Sequence, residues 1–316
     1  NGQRLMIFCS QWSIEFLASC VQWHSDGTFK CRPLLFEQIY IIFGFNNVMI
    51  PCIYCLTTKK DEEVYIKILH HIQAIGEKQG IYFNPLRLTC DFEISTMNAF
   101  TKVFPMIHIA NCFFHYSQSL WRKVQELGLT RYVKYSTSSK DKTPTEDKKK
   151  ANQWFLSAIG LALIPPNIIE NTWTMAMDES TPDHHSSIKF NDYLVSTYVD
   201  SSSSRFHFNT WNVNDAIVNN MPRMNNHVEG YNNILGTLFP IHPHTYRFIE
   251  LLRDEHLFQQ HQAEQSKCFV PRGHKSSDDI TAELLSLLKK YKKGELDGLQ
   301  LSIQCGKAVK TKLVIK

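Results

Sequence analysis

Three acids in this 316-residue sequence stand where a carboxylate can do chemistry. Asp26 follows the apolar and aromatic run VQWHS and is itself followed by Gly27 and Thr28; Asp91 closes a second such run, PLRLTC. Two carboxylates brought to adjacent strand ends repel unless a divalent cation sits between them. Hard oxygen donors of this kind suit Mg²⁺ or Mn²⁺. The matching reaction is two-metal phosphoryl transfer, in which ions about 3.5–4 Å apart activate an attacking hydroxyl and stabilise the leaving oxygen. Such a site calls for a third acid, with Glu170, Asp178, Glu179, Asp192, Asp200, Asp215 and Glu229 as candidates.

Glu229 stands out through its helix. In NNHVEGYNNILGTLF, Val228, Tyr231, Leu235 and Leu238 form an apolar stripe, while Asn225, Asn226, Glu229, Asn232, Asn233 and Gly236 fall on the other side. A solvent face would carry lysines and glutamates. Uncharged donors around a single carboxylate suit a face turned toward metal and phosphate. Arg223, Arg247, Arg253 and the lysines at 148–150 are candidates to neutralise nucleic-acid phosphates, with a plain solvated surface as the competing role. A purely local role competes with this: Asn226-His227-Val228-Glu229 has capping-box spacing. Asp26 has its own local alternative, since Asp-Gly is turn chemistry. If Asp26 is a ligand, Gly27 leaves room beside it for metal and phosphate.

The elements that must position these acids follow from periodicity. ASCVQWHS, PLLFEQIYIIFGF (33 to 45) and NVMIPCIYCLTT (47 to 58) are β-branched and aromatic runs separated by DGT and Asn46-Asn47, the pattern of an antiparallel meander. An amphipathic helix follows on Val64, Ile68, His71, Ile72 and Ile75, then a strand into Asp91, a helix over 94–103, a short strand MIHIAN, and a helix from about Phe114 to Leu127 closed by Gly128. The order βββαβαβα predicts an α/β fold, a mixed five-stranded sheet flanked by helices, which is the order of the ribonuclease-H-like fold. In that arrangement the strands ending at Asp26 and Asp91 lie side by side.

Residues 136–150, STSSKDKTPTEDKKK, are polar and charged, a linker or exposed loop. The segment 154–218 has helical periodicity broken by Pro165-Pro166 and SSSS at 201–204, and further helices are expected near 247–262 and 280–293. The expected organisation is a first part of the catalytic core over 1–135, a linker and mostly α-helical insertion over 136–218, a return to the core with the acid-bearing helix over 219–262, and a C-terminal helical tail over 263–316.

Composition sets limits on partners. A formal charge of +4 permits a nucleic-acid partner without demanding one. Nine irregularly spaced cysteines argue for free thiols in a reducing compartment. No apolar run reaches the roughly 18 residues of a membrane span. The start NGQRLMIF has neither an initiator Met nor a signal-peptide layout, which leaves room for upstream modules. Cys52-x-x-Cys55 with Cys112-x-x-His115 spells a zinc pattern. Cys52 and Cys55 lie inside a strand run, where positions three apart point to opposite faces, so buried thiols are expected rather than a structural zinc. Trp211 and His184-His185 are read as a core ring and a polar loop.

The succession DGTFK (26–30), PLLFEQIYIIF (33–43), PCIYCLTTKK (51–60), CDFE (90–93), NAFTKVFP (98–105), CFFH (112–115) and MPRMNNHVEGYNNIL (221–235) resembles the transposase domain of Mutator-like elements over roughly Ser10 to Gln262. The resemblance implies a DDE transposase with a helical insertion before its third acid. Residue by residue, the two aspartates fall on Asp26 and Asp91 and the glutamate on Glu229, together holding two Mg²⁺ or Mn²⁺ ions. The family's C-x-x-H falls on Cys112 and His115, thought to assist at the DNA end. The family's RTNN appears here with Met224 in place of Thr. Double-stranded DNA is the implied partner, as terminal repeats and target, with a homo-oligomer and a nuclear location expected. The competing reading is a domesticated, non-cleaving DNA-binding or regulatory protein that keeps the fold.

Overall fold

A computed structural model describes residues 4–133, 145–221, 223, 225–266 and 275–313. In chain order the elements are β1 (Leu5–Phe8), α1 (Gln11–Ala18), β2 (Gln22–Thr28), β3 (Gln38–Asn46), β4 (Val48–Thr57), α2 (Glu62–Glu77), β5 (Arg87–Cys90), α3 (Ile94–Val103), β6 (His108–Asn111) and α4 (Phe113–Glu126). There follow α5 (Thr130–Val133), α6 (Glu146–Gly160), α7 (Ile169–Ser180), α8 (His185–Leu194), α9 (Phe208–Trp211), α10 (Asn214–Val218), α11 (Asn226–Leu238), α12 (Thr245–Ser266), α13 (Lys275–Lys292) and α14 (Gly298–Leu313). The chain divides into two compact units, one of residues 1–110 with 225–272 and one of 111–224 with 273–316.

The first unit is built on a mixed sheet of order β1-β4-β3-β2-β5-β6, the last residue of β6 being the first of the other unit. The sheet has six strands where the sequence suggested five. The additional one is β1, a four-residue edge strand, Leu5 to Phe8, pairing antiparallel with Tyr54 to Thr57, too short for an alternating pattern to announce it. The first anticipated strand is also displaced. Ala18 closes α1, capped by a Ser10–Ser13 capping box, and the strand begins only at Gln22.

Alternation along β3 divides two cores, as a period of two requires. Tyr40 and Ile42 join Trp23, Leu69, Ile72, Leu88 and Phe100 beneath α1, α2 and α3. Ile39, Ile41 and Phe43 join Val228, Tyr231, Leu235, Phe248 and Leu252 beneath α11 and α12. Each fully buried aliphatic side chain of this kind contributes roughly 1.5–3 kcal/mol. Helices thus cover both faces, compatible with the ribonuclease-H-like class.

Asn47, at φ 61°, makes the tight link between β3 and β4. Register along that pair slips between Ile42 and Phe43, which oppose Ile53 and Pro51. The slip leaves Cys52 as the extra residue of a bulge. One consequence corrects the sequence argument about faces: Cys52 and Cys55 pack in the same apolar cluster. Burial pushes both thiols far above their usual range, so they are neutral core groups.

The second unit is helical. α6 and α14 pack closely because both contacts are glycines. A Cβ at Gly160 would lie 1.9 Å from the Ser302 carbonyl oxygen, and one at Gly306 would lie 2.0 Å from that of Leu156. Ser157 and Ser302 hydroxyls meet there at 2.7 Å. Of the expected loop over 136–150, residues 136–144 lie outside the described residues. Glu146 to Lys150 open α6, with Glu146 and Asp147 in its first turn, where the helix dipole favours acids. Trp211 is fully buried, stacked on Tyr116 at 4.9 Å, and donates Nε1–H to the Phe206 carbonyl at 3.0 Å, the core role expected of it. His184 caps α8 by accepting from Ser186 N. Among the described residues, no helix is long and apolar enough to cross a membrane.

Candidate active site

β2 does not stop at Asp26. It continues through Gly27 and Thr28, with Asp26 paired to Ile41 of β3, so Asp26 is a strand residue and the turn alternative falls. On its other edge β2 pairs in parallel with β5, Gln22 with Arg87, Trp23 with Leu88 and His24 with Thr89. Two residues beyond the last pair, Asp26 and Asp91 stand at the same level. Both line one small pocket together with Ser25, Gly27, Tyr40, Cys90, Glu93 and Thr96.

Asp26 is held by two donors. Its Oδ1 accepts from the Gly27 amide at 2.8 Å, and its Oδ2 accepts from Asn232 Nδ2 at 2.6 Å. Asn232 lies on α11 one turn after Glu229, so the helix that bears Glu229 is fastened to the strand that bears Asp26. Two turns before Asn232, at the N-cap of α11, Asn225 is fully buried and its Oδ1 lies 2.7 Å from His24 Nδ1. The other ring nitrogen of His24 meets Gln22 Nε2 at 2.9 Å. Burial lowers the His24 pKa to about 4, which keeps the imidazole neutral at pH 7. The asparagine face of α11 is therefore partly spent on holding the helix to β2.

The capping-box alternative for Glu229 also fails. Asn225, not Asn226, is the N-cap residue, and it makes no side-chain capping bond. Glu229 then falls at the fourth helical position, whereas the box needs an acid at the third. Glu229 is half-buried and is not among the residues lining the Asp26–Asp91 pocket. The side chain of Asn226, like Met224, lies outside the described residues.

Cys112 and His115 belong to the second unit. Cys112 is the fully buried N-cap residue of α4, and the half-buried His115 sits in that helix's first turn, its ring 5.5 Å from that of Phe114. Arg223, in the same unit, donates from Nη1 to Thr281 Oγ1 at 2.9 Å, and burial lowers its pKa.

Gly27 lines the pocket and has a second use there. A Cβ on it would lie 2.5 Å from Gln38 Oε1, so the glycine makes room for that side chain. Gln38 donates Nε2–H to the Tyr65 hydroxyl at 2.9 Å, Tyr65 donates to the Glu93 carboxylate with both oxygens at 3.0 Å, and Thr96 donates to Glu93 Oε2 at 2.8 Å. Sequence reasoning passed over Glu93, although the E-x-x-T spacing at the start of α3 signals a helix-start acid tied to the third residue on.

Asp200, another candidate third acid, is occupied by its own loop. Its Oδ1 accepts from Ser202 N at 2.8 Å, Ser202 Oγ at 2.7 Å and Ser203 N at 3.2 Å, and its Oδ2 accepts from Ser203 Oγ. These bonds hold its pKa down to about 2.

A mixed sheet with helices on both faces and two carboxylates at one level of neighbouring parallel strands defines an α/β domain compatible with the ribonuclease-H-like enzymes. Residues 22–119 match the family model described as the MULE transposase domain, so this segment is similar to that domain. The resemblance read from DGTFK and CDFE is borne out there, over a narrower stretch than Ser10 to Gln262. The match contains Asp26, Asp91, Cys112 and His115 and stops well short of Glu229. No curated protein matches the chain.

Proposed function

We propose that this chain carries the catalytic core of a DDE DNA transposase of the ribonuclease-H-like fold, cutting element ends and joining the 3′-hydroxyl to target DNA. The observation that carries this reading is that Asp26 and Asp91 line one pocket from the same level of adjacent parallel strands, inside the segment that matches the MULE transposase domain. Double-stranded DNA is the substrate and partner, and the nucleus is where the protein would meet it. Residues 136–218 would be the helical insertion, and 219–262 the return that brings Glu229.

The donor chemistry fits Mg²⁺ or Mn²⁺. The pocket is lined by carboxylate and hydroxyl oxygens, and the thiol in it, Cys90, is buried. Asp26 and Asp91 would hold the ion, with Glu229 as the third acid for a pair. A bound divalent cation supplies Lewis acidity toward phosphate oxygens and lowers the pKa of water. The chain's own residues do the positioning. Asn232 and the Gly27 amide fix the Asp26 carboxylate, and the His24–Asn225 bond fixes the start of the helix that carries Glu229.

The test is nicking of terminal-repeat DNA in Mg²⁺ or Mn²⁺. Wild-type protein should nick in a cation-dependent way and Asp91→Asn should not; full activity in Asp91→Asn would make the assignment wrong. DNA binding by the wild type with no cleavage in either ion would favour a domesticated, non-cleaving protein.

A further inference from the structure

We propose that Glu93 is a further carboxylate of the divalent-cation site, acting from the outer sphere by accepting hydrogen bonds from water in the cation's hydration shell. The inference rests on the Asp26–Asp91 reading above and extends it to a residue outside the three expected acids.

Glu93 lines the same pocket as Asp26 and Asp91. It ends a chain of hydrogen bonds that begins at Gln38, almost fully buried at 1% exposure, passes through the Tyr65 hydroxyl and is completed by Thr96. Two hydroxyl donors fix the orientation of the carboxylate without neutralising it, since neither carries a positive charge. Tyr65 is kept as a donor because burial, together with Glu93 itself, raises its phenol further above the physiological range. An acid brought half-buried beside two others, with no cation among its hydrogen-bond donors in the described residues, raises the local negative charge at an electrostatic cost. A divalent cation offsets that cost.

A second observation points into the same pocket. The Ser25 and Tyr40 hydroxyls line it at 1% and 2% exposure. They face one another, yet neither reaches full hydrogen-bond geometry with any partner. Buried hydroxyls are nearly always satisfied in folded proteins. A hydrated cation brings water molecules able to serve these two hydroxyls and the remaining lone pairs of Glu93. The constraint on Gly27 belongs to the same construction. Only a residue without a side chain leaves Gln38 the position from which the chain starts.

The experiment is a Mn²⁺ titration of the full chain, read by electron paramagnetic resonance, in parallel with melting in EDTA and in Mn²⁺. Wild type should bind Mn²⁺, and Asp91→Asn should abolish that binding. Glu93→Gln keeps an acceptor for Tyr65 and Thr96 but removes the charge. It should weaken Mn²⁺ binding roughly 10–100-fold, the usual loss for an outer-shell partner, while its melting temperature in EDTA stays equal to wild type or rises as acid–acid repulsion is relieved. Thr96→Val, which removes one of the two clamping donors, should weaken binding several-fold and decides the matter if Glu93→Gln does not fold. Mn²⁺ affinity of Glu93→Gln within twofold of wild type, with a lower melting temperature in EDTA, would make Glu93 a structural strut and overturn the inference alone. Failure of wild type to bind, or unchanged binding in Asp91→Asn, would overturn the reading of the site as well.

Discussion

Two acidic regions of this protein look alike in sequence and differ in their hydrogen bonds. Asp200 is followed by four serines, and the loop closes on it, with four donors from Ser202 and Ser203 around one exposed carboxylate. The pocket at the ends of β2 and β5 gathers its acids from separate elements, Asp26 from a strand, Asp91 from beyond a strand end and Glu93 from the start of a helix. Their donors come from Gly27, Asn232, Tyr65 and Thr96, and two buried hydroxyls in the pocket are left with capacity. A carboxylate satisfied by its own neighbours is a turn. Carboxylates assembled from distant parts of the chain, at the electrostatic cost of their proximity, are placed for something that is not the chain.

The largest expected effect separates the two regions directly. Asp26→Asn or Asp91→Asn should lower cation-dependent DNA nicking by roughly a thousandfold, as loss of several kcal/mol of charge stabilisation implies, while Asp200→Asn should stay within twofold. Equal losses in both regions would erase the distinction.

The helix carrying Glu229 is held to β2 by His24, and that contact should show a pH signature. The folded-state pKa of His24 is depressed to about 4 from an ordinary 6.5, so its contribution is fully present above pH 6.5 and is lost as pH falls from 6.5 through 4. Urea unfolding at pH 7 and pH 4.5 should differ by up to roughly 3 kcal/mol from this group, and His24→Gln should flatten that dependence. An unchanged slope in His24→Gln would mean that the ring does not stay neutral.

Gly27→Ala is next. A methyl placed 2.5 Å from Gln38 Oε1 should displace that buried amide and destabilise the fold by about 1–3 kcal/mol. Gly230→Ala on α11, where a Cβ meets nothing within 4 Å, should be neutral or stabilising by about 0.5–1 kcal/mol. Denaturant midpoints measure both.

The smallest effect is at the Asp200 loop. Its carboxyl should titrate near pH 2 by NMR, because hydrogen bonds from Ser202 and Ser203 favour the anion. The benefit to stability is present above the ordinary carboxylate pKa and lost as pH falls through about 2. Mn²⁺ should broaden the resonances of Ser25, Gly27 and Thr96, which line the Asp26–Asp91 pocket.

The sequence carried the strand order because long β-branched runs and a strongly periodic α2 impose their own geometry, and Asp26 and Asp91 could be set side by side from that order alone. The four-residue β1 and the bulge at Cys52 were beyond it, since neither leaves a periodic trace. The bulge reversed an argument built on strict alternation. The asparagines of α11 were recognised as unusual, but only packing reveals that Asn225 is spent on His24 and Asn232 on Asp26, because these bonds span 201 and 206 residues. Glu93 was hidden for a similar reason. Its meaning depends on Tyr65 and Gln38, neither of which is near it in the chain.

The central claim is that Asp26 and Asp91 bind a divalent cation, and the most direct measurement is anomalous diffraction from crystals soaked in Mn²⁺. The account predicts an anomalous peak at about 2.0–2.3 Å from carboxylate oxygens of both aspartates, absent in Asp91→Asn crystals soaked in the same way. A map with no peak at these two residues, or with manganese only elsewhere on the chain, would contradict it.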